Sequence, residues 1–198
     1  MQQFNLTPEP FERYLDARGE ELTRDIPPDD DAVETHLSDT EGSLFALGFA
    51  VLTRANPDTS LEPLVHSAAI AYGLTRGLGR LPHALRHGGT VLSAARLEQA
   101  GVRAGALAQE AFAEENALAV DNIARGLEVR AREALDSARQ AVQLLDSQAV
   151  SAFLPLAMVE PYLSAQNRSG YRRLEGMADV TPLARAWRLW RASRRRRF

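Results

Sequence analysis

The chain contains no cysteine and no lysine; its 23 basic residues are all arginine. Without thiols there can be no disulfide, no thiolate metal site and no cysteine nucleophile. The missing lysine carries little functional weight by itself. No apolar stretch is long enough to span a bilayer. Met1 is followed by polar residues rather than by the basic start and apolar core of a secretory leader. These absences point to a reducing cytoplasm or the inner face of a membrane. Strand-type alternation, heptads and internal repeats are also missing, and the arginine run at the end is the one low-complexity segment. A net charge of -3 argues against nucleic acid as a partner, and one short basic run does not reverse that.

What is present is helical. With 45% hydrophobic and 25% charged residues in 198 positions, the chain can bury one substantial core. Phe11, Tyr14, Leu15 and Leu22 fall on one helical face, with Thr7 placed to cap and Pro8 in the first turn. Pro27-Pro28 ends that segment. Asp29, Asp30 and Asp31 crowd the start of the next helix, where the macrodipole favours acids. Val33, Leu37, Leu44, Leu47 and Val51 give this helix its buried stripe. Asn56-Pro57-Asp58 forms a turn, and Thr59 or Ser60 caps a third helix through Leu78 that Pro82 stops or kinks. Ser93 caps a short helix closed by Gly101. A long alanine-rich helix runs from about Ala104 to Asp146, with a break expected near Asn116 or Gly126. Ser147 to Ala165 reads as one bent helix and 167–179 as a loop. The last helix opens at Pro182. The expectation is an all-α bundle of six or seven helices in a single domain over 1–198, with a basic amphipathic helix and tail at 182–198.

Several clusters carry chemistry, each with a plainer reading beside it. Asp16 stands with Glu20 and Glu21, and since positions four apart share a helix face two carboxylates can hold Mg²⁺, yet Arg13 and Arg24 favour a salt-bridged surface. His83 and His87 stand four apart, but zinc needs a third ligand, and Pro82 and Gly88 put a shared helix in doubt. Glu110, Glu114, Glu115 and Asp121 read as a solvated acidic face. Gly73, Gly77 and Gly79 lack the order of a phosphate loop and suit close helix packing. Among them, Arg76 and Arg80 can instead face a cavity and hold an anion such as a diphosphate. Leu183, Trp187 and Trp190 form one stripe, with Arg185, Arg188 and Arg191 elsewhere and Arg194, Arg195, Arg196 and Arg197 following. Two readings stand level: attachment to an anionic membrane or an acidic protein partner, and tryptophans that cap the core beside a frayed tail.

Ser67 to Gly101, SAAIAYGLTRGLGRLPHALRHGGTVLSAARLEQAG, resembles the second conserved block of the squalene/phytoene synthases. It keeps the Leu74-Thr75 step, Leu78, Arg86, Gly88, Leu92, the short helix and Gly101. Thr35 to Gly48 is similar to that family's first signature helix, and Pro10 to Leu22 to the segment before it. The resemblance implies an isoprenoid synthase fold, all-α around a central apolar cavity. Family members bind prenyl diphosphates through Mg²⁺ held by two aspartate clusters. Here the second cluster's aspartates fall on Arg80 and Ala84, its glutamine on Gly73 and its asparagine on Arg76. A later arginine, aromatic and proline fall on Gly89, Val91 and Ser93. The first cluster belongs upstream of the matched region, so the N-terminal part of the fold is expected to be absent. Trp187 to Arg197 resembles the ends of a non-carotenogenic branch that includes mitochondrial complex I assembly factor relatives.

The resemblance therefore implies a catalytically silent relative with no metal and no cofactor. Such a protein binds an isoprenoid or lipid at Arg76, Arg80 and Arg86, or serves in respiratory-complex assembly. The alternative is a Mg²⁺-dependent prenyltransferase whose missing helices come from elsewhere, with metal held by Asp16, Glu20 or Glu114.

Overall fold

A computed structural model describes residues 6–23, 26–56, 58, 60–87, 89–103, 114–168, 170–176, 179–195 and 198. Among them there is no strand. The first helix, α1 (Glu9–Glu20), begins after Pro8 rather than Thr7, with acidic Glu9 and Glu12 in its first turn. Its buried residue is Ala17, while Leu15 and Leu22 lie exposed. A small side chain lets α1 sit close on its neighbours, so the face that packs is not the most apolar one. Helix α2 (Asp30–Leu37) is capped as its acids predict, the Asp29 carboxylate accepting from the Ala32 N–H at 2.8 Å.

The stripe expected to run from Val33 to Val51 is broken. Val33 and Leu37 are buried, but a π-helical turn at Ser38–Gly42 separates α2 from α3 (Ser43–Thr53). A π turn inserts one residue and rotates everything after it by roughly 100°. Leu44 and Val51 thus come out exposed, and Phe45 and Ala50 take the inner positions. Phe45 stacks on Phe153 and meets Tyr72 edge-on. The same turn buries the polar run Thr40, Glu41 and Ser43.

The centre of the bundle is α4 (Glu62–Gly79) lying along α7 (Glu114–Ala141). Ala68, Ala71, Leu74 and Leu78 of α4 and Val120, Ala124, Ala131, Leu135 and Ala138 of α7 are almost fully buried. Rows of alanine on both helices let the backbones approach closely. Helix α7 passes Asn116 and Gly126 without a break and ends at Ala141, with a 3₁₀ turn at Val142–Leu144 where helix was expected to Asp146. The expected start near Ala104 lies outside the described residues, as do Pro57 and Thr59 of the expected turn and cap. Helix α4 begins without a side-chain cap. It stops at Gly79, and α5 (Leu81–His87) follows with Pro82 in its first turn. Ser93 caps α6 (Ala94–Gln99), and Gly101 takes the left-handed conformation expected of it, at φ 75°.

Ser147 to Ala165 is three pieces rather than one helix: α8 (Ser147–Ala152), a 3₁₀ segment at Leu154–Met158 and α9 (Val159–Gln166). Pro155 has no N–H to continue α8 and restricts Leu154, so the chain tightens there. Pro161 sits in the first turn of α9, where its missing N–H costs nothing. Helix α10 (Pro182–Arg195) lies on the 3₁₀ segment, turning Ala184, Leu189 and Ala192 inward.

Candidate anion-binding cavity

A cavity of about 270 Å³ opens between α1, α2, the π turn, α4 and α5. Its lining includes Arg18, Arg76 and Arg80, Glu21 and Glu41, and His36, His83 and His87. Apolar Leu37, Ala84 and Val91 complete the wall. The π turn aims Glu41 inward, where it is buried between two guanidiniums. Arg18 Nη2 donates to Glu41 Oε1 at 3.3 Å and Arg76 Nη1 to the same oxygen at 3.2 Å. Arg18 Nη1 also donates to Glu21 Oε1 at 2.6 Å, and that oxygen lies 2.8 Å from His36 Nε2. Burial works against the Arg18 charge, but Glu21, the Tyr14 hydroxyl and Glu41 outweigh it and hold its pKa above the ordinary guanidinium value. Arg76 lies over the Tyr72 ring, 5.5 Å from its centroid.

Arg80, one turn beyond Arg76, is exposed at the end of α4 and, among the described residues, its guanidinium has no carboxylate partner. Among the described residues the cavity thus presents three guanidiniums against two carboxylates, and both carboxylates are already engaged. The glycines of α4 serve close packing on the same wall. A Cβ at Gly73 would stand 2.5 Å from Leu37 Cδ2, and one at Gly77 2.3 Å from Val91 Cγ1. Close packing and cavity lining coexist on this stretch: Gly73 and Gly77 admit Leu37 and Val91, while Arg76 and Arg80 line the cavity.

A family model described as squalene/phytoene synthase matches residues 1–193. The chain belongs to the squalene/phytoene synthase family. A search of curated proteins finds no match. Among solved structures, the squalene synthase HpnC from Alicyclobacillus acidocaldarius is similar, with a TM-score of 0.70 and 18% identity over 86% of this chain. The matched region spans 63% of the length of that enzyme chain. At this identity the likeness establishes the all-α isoprenoid synthase fold.

Prenyl diphosphate chemistry in the family implies Mg²⁺, but the described residues do not fit it. No three of their His, Asp or Glu side chains are grouped to hold a metal. Asp16 is exposed, and Glu21 is taken up by Arg18 and His36; the Glu114 side chain lies outside the described residues. Arg80 and Ala84, where the sequence resemblance would place the family's second aspartates, line the cavity. His83 and His87 share α5 after all, their rings 4.5 Å apart, yet with no third ligand among the described residues. Arg86 sits exposed on α5 and is not among the cavity residues, because one-residue neighbours on a helix point about 100° apart.

Glu41, Arg18 and His36 were not singled out by sequence reasoning. The available signal was the polar run Ser38–Gly42 inside an otherwise apolar stripe. A second missed feature lies behind the site. Arg173, on the 167–179 loop, is buried and donates to Glu128 Oε1 at 2.6 Å, Gln166 Oε1 at 2.8 Å and Asp121 Oδ1 at 3.2 Å. Asn167 Nδ2 donates to the other Glu128 oxygen at 2.6 Å, and Gln166 Nε2 to the Thr75 carbonyl at 3.1 Å. This network fastens α4 to α7 and α9 at Thr75, the residue before Arg76. Asp121, expected on a solvated acidic face, is part of it.

The tryptophans do not cap the core. Trp187 and Trp190 are 57% and 52% exposed and Leu183 is 81% exposed. Arg194 and Arg195 extend from the same helix, exposed; Arg196 and Arg197 lie outside the described residues.

Proposed function

We propose that the cavity binds the phosphate-type headgroup of an isoprenoid or lipid without turning it over. The observation that carries this reading is Arg80, an exposed cavity guanidinium with no carboxylate partner among the described residues, where the family resemblance places a metal-binding aspartate. A cation there attracts a diphosphate directly, while ionising it calls for charge stabilisation that metal-bound carboxylates supply elsewhere in the family. Arg18 and Arg76 hold Glu41 neutralised and add a positive rim. A role in respiratory-complex assembly draws support only from the resemblance of the Trp187–Arg197 end.

The test is calorimetric titration with inorganic diphosphate and with farnesyl diphosphate, beside a diphosphate-release assay in Mg²⁺. Both ligands should bind, and Arg80→Ala should weaken them by roughly 10- to 100-fold, the worth of one charge-assisted hydrogen bond. Arg76→Ala is the poorer probe because it strips a partner from buried Glu41. Release above the no-protein control would overturn the silent reading and revive the prenyltransferase. Absence of binding at millimolar ligand would end the cavity proposal.

A further inference from the structure

We infer that the outward face of α10 is a docking surface for an anionic lipid bilayer. The helix meets the rest of the protein through Ala184, Leu189 and Ala192, with Arg185 on that side 3.5 Å from the Tyr162 hydroxyl. Leu183, Trp187, Trp190 and Arg194, spaced four, three and four apart, fall on the opposite side as one stripe. All four are exposed. The two indoles stack, their centroids 5.0 Å apart, and the Arg194 guanidinium lies over Trp190 at 5.6 Å. Beside this stripe, Arg188, Arg191 and Arg195 line a recess with Trp187 and Ala157.

Charge complementarity selects the occupant. Pro182 to Arg195 holds five arginines and no acidic residue, in a chain whose net charge is -3. An excess of one sign, confined to the helix that exposes both tryptophans, matches an interface that is negative and amphiphilic. Indoles favour the headgroup boundary, where one edge is wet and the ring face is apolar. Arginine stems cover apolar surface while their heads reach phosphate. At 14 residues α10 is too short to cross a bilayer, and no described helix is long and apolar enough to do so. The helix lies in the plane of the interface, its stripe toward the acyl chains. Each arginine near an anionic surface strengthens attachment about fivefold, so binding is steeply salt-dependent. The surface is separate from the cavity and does not rest on the cavity's ligand.

The two tryptophans of the chain are both on α10, so intrinsic indole emission reports this helix alone. The test mixes the full chain with phosphatidylcholine vesicles, with and without phosphatidylglycerol, at low and high salt. With the anionic vesicles at low salt, the protein should sediment, its emission should shift to the blue, and brominated acyl chains should quench it. Neutral vesicles or high salt should abolish all three. Arg188→Glu with Arg191→Glu should reduce binding at least about tenfold, from the loss and reversal of two such charges, with the melting temperature unchanged. Sedimentation without a blue shift, or binding that survives the double charge reversal, would overturn the proposal. So would a blue shift given equally by polyglutamate without lipid, which would assign the face to an acidic protein.

Discussion

Arg173→Met tests whether the buried network behind the cavity holds the bundle together. Arg173 and Glu128 are both almost fully buried, 6% and 3% exposed. Replacing the guanidinium leaves the Glu128 carboxylate with Asn167 at 2.6 Å and Arg132 at 3.7 Å, too distant for a full hydrogen bond. Removing one partner of a buried pair costs about 3–5 kcal/mol, since the remaining charge stays desolvated. For a chain of this size each kcal/mol lowers Tm by about 2–4 °C, so the expected fall is about 6–20 °C. Chemical denaturation followed by circular dichroism gives the free energy directly. The decisive control is the double variant Arg173→Met with Glu128→Leu, which removes both charges together. It should regain most of the loss, because an apolar pair of similar volume replaces a buried ion pair at little cost. A single-variant loss below about 1 kcal/mol would refute the reasoning, and so would a double variant as unstable as the sum of its parts.

Gly77→Ala should destabilise by on the order of 1 kcal/mol, because the clash with the stiff Val91 side chain exceeds the gain in helix propensity. In the presence of Val91→Ala the same change should be neutral or stabilising, and additive losses in denaturation would sink this account. Asp30 accepts from Arg96 Nε at 2.8 and 2.7 Å and from the Ser93 hydroxyl at 2.7 Å, and Arg96, with Ser93, outweighs the opposing effect of burial and holds its pKa below the usual carboxylate range. A depressed folded pKa stabilises above the unfolded value of about 3.9 and loses that contribution as pH falls through the folded value. Asp30→Asn should therefore cost at most about 1 kcal/mol at pH 7, the pair being partly exposed, and nothing at a pH below both values. A penalty that persisted unchanged in acid would mean that the carboxylate charge is not its source.

Periodicity and punctuation were enough for the helical class, for most helix starts and for the Gly101 stop, because these depend on spacings within a few residues. The quoted motifs were enough for the family, since the order of Leu74-Thr75, Leu78, Arg86 and Gly101 carries the resemblance without the aspartates it would place at Arg80 and Ala84. Arg76 and Arg80 could be nominated from their spacing on one helix. Their surroundings could not. Glu41 reaches Arg76 from within the π turn, and nothing in the local apolar pattern sets the hydrogen-bond step of a helix. Arg173 and Glu128 are 45 residues apart and each reads alone as a surface charge; only the packing of Arg173 against α7 and α9 makes them a buried pair. The two accounts of Trp187 and Trp190 were likewise level on sequence, because amphipathicity reveals that a helix has two faces but not which one finds a partner. Tertiary packing decided that when Ala184, Leu189 and Ala192 took the inner side: small residues permit close approach to the 3₁₀ segment, and the indoles were left facing outward.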